Sequence, residues 1–166
     1  MDVEMAPDVE EKVKDIVGTL SYGHNEWQAA IRNAHTASGH APLIMSHINE
    51  FRLICMRSRN ATAHAYARIW NLPDIWQKAL SVGTFYIIEV LTQHYDKLSE
   101  EEKERVLIHE LLHIPKTFSG ALRPHRGMHV KINARTVNEL HKMYKQRKKE
   151  LEGKRKEELR RAEAAF

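Results

Sequence analysis

The sequence predicts an α+β domain, and three observations carry that reading. An apolar stripe of helical spacing opens the chain, period-2 and continuous apolar segments fill its middle, and a capped, apolar-rich helix follows. The predicted order is helix, helix, three strands, helix, loop, helix. A chain of 166 residues supports one hydrophobic core and is too short for two. Residues 1–150 therefore read as a single domain and 151–166 as a basic helical tail.

Val9, Val13, Ile16, Val17 and Leu20 recur at helical spacing and predict a first helix over about Asp8–Leu20. A second helix is expected from Asn25 to about Ala34, before the break at Gly39-His40-Ala41-Pro42. Strands are expected over about Phe51–Arg57, Ala63–Trp70 and Phe85–Leu91. In the middle one, Ala63, Ala65 and Ala67 alternate with His64, Tyr66 and Arg68; the third is almost uninterrupted apolar residue and should be buried. Between them, Pro73 suits the first turn of a short helix.

Ser99-Glu100-Glu101-Glu102 is a helix start. Ser99 can cap, Glu102 can reach back, and the carboxylates meet the positive end of the helix dipole. That helix should run to about Ile114, where Pro115 ends it. A last helix should begin near Asn133 or Arg135 and continue into the tail.

Composition narrows the function classes. A hydrophobic fraction of 42% with 29% charged residues is that of a globular protein, not a disordered tail. The single cysteine, Cys55, excludes an intrachain disulfide and a C-x-x-C metal site, and its apolar neighbours make it a buried thiol. The acidic amino terminus lacks the pattern of a secretory signal and no stretch is long enough to span a membrane, so a cytoplasmic location is expected. From Lys142 onward Lys and Arg are concentrated, which fits a solvated helix with i,i+4 pairs and admits nucleic acid as a second partner class.

The chemistry is carried by His109-Glu110-Leu111-Leu112-His113. On a helix, residues four apart share a face about 5–6 Å apart at Cβ, so His109 and His113 can direct two imidazoles at one ion. Glu110 is turned aside from that face, within reach of a water on the metal, where a general base must stand. Zinc suits such ligands and chemistry, and the expected reaction is hydrolysis of a peptide bond by a zinc-activated water with Glu110 as base; a zinc-binding module without proteolysis is the alternative the motif leaves open. The third ligand is left among His125, His129 and Glu139, since Ser119 stands six residues after His113, where the metzincin pattern has its third histidine. His24, His35, His40, His47, His64, His94 and His141 show no persuasive ligand spacing; of these His64 is best placed to reach the site.

From about Arg59 to Tyr144 the chain resembles the phage-type and archaeal metallopeptidases, related at a distance to the SprT-like zincins. The likeness is carried by Ala67-Arg68-Ile69-Trp70 with Pro73 and Trp76, by Leu98 to Val106, by His109-Glu110-Leu111-Leu112-His113-Ile114-Pro115, and by Phe118-Ser119-Gly120 with Leu122-Arg123-Pro124-His125. The resemblance implies a zincin-like α+β core, a small three-stranded sheet beside the motif helix, and zinc on His109, His113 and His125; it adds little about the substrate, which the expected peptide-bond hydrolysis makes a protein or peptide.

Overall fold

The computed structural model describes residues 2–21, 45–126 and 131–164. The predicted stripe forms α1 (Pro7–Ser21), with Pro7 in the first turn, where its missing N–H has no helical partner to lose. Val9, Val13, Ile16, Val17 and Leu20 are all buried. The second predicted helix, Asn25 to about Ala34, lies outside the described residues.

The chain enters the sheet through a short 3-10 turn, Glu50–Arg52, which Asn49 caps by accepting the Phe51 N–H. The turn delays the strand expected from Phe51, so β2 runs Leu53–Arg59. β3 (Ala67–Asn71) is shorter than the alternation from Ala63 suggests. Tyr66 still accepts a bond from Leu91 N–H, but before it the chain leaves the ladder and His64 and Tyr66 stand against the His94 ring. α2 (Asp74–Ala79), with Pro73 just before it, leads to β4 (Tyr86–Leu91), and α3 (Thr92–Tyr95) follows at once.

Among the described residues the sheet has four strands rather than the expected three, with β1 (Asp2–Met5) ahead of β2, in the order β1-β2-β4-β3. The added strand is antiparallel to β2 and exposed at every position. So short and acidic a segment gives little hydrophobic signal, and it is held by its ladder and by the Arg59–Glu4 ion pair. β2 and β4 are parallel, whereas β3 and β4 are antiparallel, which leaves β3 at an edge of the sheet where, among the described residues, no further strand pairs with it.

α4 (Glu100–Leu112) begins with the expected capping box, the Ser99 side chain and Glu102 satisfying each other's end of the turn. α5 (Ala134–Ala164) is the long last helix. Alternate residues of β2 and β4, among them Leu53, Cys55, Tyr86, Ile88 and Val90, join α1, α4 and α5 in one core. The Cys55 thiol is buried there and its pKa is pushed up to about 12 by loss of solvent. Polar clamps fix the helices to one another. Buried Glu104 of α4 meets His141 of α5 at 2.7 Å, and Asp15 of α1 accepts from Tyr144 and Lys148 of α5. Among the described residues no helix is long and apolar enough to cross a membrane.

Candidate metal centre

The site grows from the carboxyl end of α4. His109 lies in its last turn and His113 is its cap, with the His113 N–H donating to the carbonyls of Glu110 and Leu111. Pro115 follows and the helix cannot continue. The chain reverses through Phe118 and Gly120, both at positive φ (47° and 85°); a glycine takes the second at little cost. Gly120 is held from two sides, its N–H donating to the Tyr86 hydroxyl and its carbonyl accepting from the Asn71 side chain.

This path brings Arg123 back onto the helix end it left ten residues earlier. Its N–H donates to the His113 carbonyl at 2.7 Å and its guanidinium to the Leu112 carbonyl at 2.6 Å, satisfying acceptors a helix terminus leaves open. His113 Nδ1 lies 2.6 Å from the Arg123 carbonyl oxygen, which only accepts. The proton therefore sits on Nδ1 and the Nε2 lone pair is free.

Two residues on, His125 completes the group. Ligand nitrogens of His109, His113 and His125 all lie within 4.8 Å of one another, and the Nε2 atoms of His109 and His125 are 3.1 Å apart. Nitrogens sharing a tetrahedral zinc at about 2.0–2.1 Å would be roughly 3.3 Å apart, so the donor set fits an ion with little movement. The imidazoles of His109 and His113 are also kept neutral, the form that ligates. Burial, aided by the neighbouring histidines, lowers the His109 pKa to about 4; His113 is lowered too, chiefly by burial.

Glu110 is buried beside these rings, and loss of solvent raises its pKa to about 7 against the opposing pull of a hydrogen bond from the Ile69 N–H. Among the described residues no salt bridge reaches Glu110. The Ile69 contact follows from the ladder. Leu72 N–H bonds the Phe85 carbonyl and Leu91 N–H the Tyr66 carbonyl, so the even residues of β3 pair with β4. Ala67, Ile69 and Asn71 then turn their backbone groups to the open edge, beside α4.

Of the three candidates for a third ligand, His125 stands in the cluster, Glu139 does not, and His129 lies outside the described residues. The Glu139 carboxylate is exposed and paired with Arg135 on the same helix. His64 lies against His94, ring centroids 6.0 Å apart, and does not join the group. Arg123 and Ile69 stand in the sequence among the residues that carry the family likeness, but no role is assigned to either there. The open carbonyls expected where Pro115 stops a helix were the one signal for Arg123, and only the strand order shows Ile69.

The fold and this site define an α+β protein with a histidine cluster able to hold a metal ion on a buried helix beside an edge strand of the described sheet. The chain belongs to the family described as "Putative phage metallopeptidase", whose model matches residues 1–148. No curated protein and no solved structure matches it.

Proposed function

We propose that the protein is a zinc-dependent peptidase of the HExxH class, with a zincin-like core, and that it cuts peptide bonds in a protein or peptide substrate. The observation that carries this is the convergence of His109, His113 and His125 beside a buried carboxylate that no cation neutralises among the described residues. These three histidines would hold the metal. A bound zinc supplies polarisation of the scissile carbonyl and acidification of water.

The remaining work falls to the chain. Arg123 fixes the His113 ring and its tautomer through the carbonyl contact. Glu110, held at the metal side of the cleft, takes the proton from the attacking water and delivers it to the leaving amine. The open edge of β3 offers Ala67 and Asn71 backbone groups for pairing with an extended substrate, which lays the scissile bond alongside Glu110. Burial on the helix side keeps bulk water from the carboxylate.

Replacing Glu110 by Gln keeps size and removes the base. Peptide cleavage should fall by about 100-fold or more with zinc content unchanged. Undiminished cleavage by that variant would remove Glu110 from the reaction.

A further inference from the structure

The connection between β3 and β4 keeps its large apolar residues outside. Within α2 and the turn after it, Ile75 is 70%, Trp76 57%, Leu80 57% and Val82 40% exposed, and α2 buries no residue at all. A six-residue helix has little stability of its own. This one is held by polar ties instead, Gln77 donating to the Leu72 carbonyl and Thr84 to the Gln77 side chain. Polar residues on its outer side would cost nothing in packing, so an apolar set there marks a contact surface.

Its position identifies the contact. β3 ends at Asn71 and α2 begins at Asp74, so the β3 edge beside Glu110, which no strand covers among the described residues, runs directly into the apolar patch. α2 touches the metal loop: a Cβ at Gly120 would stand 2.8 Å from Gln77 Nε2. An extended chain pairing with β3 would therefore carry its next side chains over α2.

We infer that α2 and the turn after it form a docking platform for large apolar side chains of the substrate, so that the enzyme selects unfolded or extended segments rich in Leu, Ile, Phe or Trp. This rests on the cleft assigned above. A second copy of the chain is the other occupant such a patch could take, but lying on α2 it would cover the β3 edge and close the cleft.

The test uses the full chain with Glu110→Gln, so that peptides bind without being cut. A decapeptide bearing Leu and Phe is compared with its Ser-substituted counterpart by fluorescence anisotropy. The apolar peptide should bind at least about tenfold tighter, and adding Ile75→Ser, Trp76→Ser and Leu80→Ser should erase the difference. Those positions are exposed, and circular dichroism and metal content of the variant establish that it is folded. Equal binding of the two peptides, or a difference that survives the triple substitution, would overturn the platform. So would a dimer in sedimentation that the triple substitution dissociates. Failure of the peptidase reading is seen separately, as wild-type chain that holds no zinc and cuts neither peptide.

Discussion

Arg123 is bonded to His113 through both of its backbone groups, the N–H to the His113 carbonyl at 2.7 Å and the carbonyl to His113 Nδ1 at 2.6 Å. One residue thus caps the helix end that Pro115 stops, anchors the returning loop and orients an imidazole. Its guanidinium adds a third tie, to Leu112. Arg123→Ala keeps the backbone bonds and loses that tie, so the loop carrying His125 should loosen. Zinc affinity, measured by competition with a chromogenic chelator, is expected to fall about 10-fold.

Glu89 should govern the stability of the β3 edge. Its buried carboxylate accepts from Ser58, from Arg68 at 2.9 Å and from Trp70 at 2.7 Å, linking β2, β4 and β3. Glu89→Ala leaves these donors and the Arg68 charge without their acceptor and is expected to cost on the order of 3 kcal/mol in urea denaturation.

The same carboxylate makes a pH prediction. Burial pushes its pKa up, but the bonds from Ser58, Arg68 and Trp70 outweigh that, and the folded-state value lies below the usual carboxylate range. A depressed carboxylate contributes stability above its unfolded pKa of about 4.5 that is lost as pH falls through the folded value. Wild type should therefore lose more stability than Glu89→Gln over that acidic window. Parallel melting curves down the pH range check this.

The tail should be dispensable for the fold. Lys148 reaches Asp15, and buried Arg147 donates to the Leu20 carbonyl; beyond them α5 is exposed almost throughout. From Lys149 to the end six cations alternate with five carboxylates, some in i,i+4 pairs such as Arg161–Glu157. Truncation after Lys149 is expected to change stability by no more than about 0.5 kcal/mol. If the tail contacts nucleic acid, the full chain will bind it with a steep salt dependence that the truncated chain lacks. The balance of charge around the helix supports a solvated shaft, and no such binding is expected.

How much was legible in advance follows the range of the forces involved. α1, the capped start of α4 and the spacing of His109 and His113 are local, and periodicity or a capping pair expresses each. β1 is legible only through its partner: its four exposed residues bury nothing, and what holds them is a ladder to a strand some fifty positions away. The three-strand expectation failed for that reason. The position of His125 beside His109 and His113 depends on where a loop goes, and the turns at Phe118 and Gly120 and the Arg123 contacts that set that path are visible only in three dimensions. The Ile69 bond to Glu110 similarly needs the strand order and the parity of the ladder.

The most direct test of the central claim is the metal content of the purified protein by elemental analysis, for wild type, His125→Ala and Glu139→Ala. About one zinc per chain is expected in wild type and in Glu139→Ala, and its loss in His125→Ala. Wild-type protein that takes up no metal when zinc is supplied at neutral pH would contradict the account, and zinc retained by His125→Ala would contradict the assignment of the third ligand.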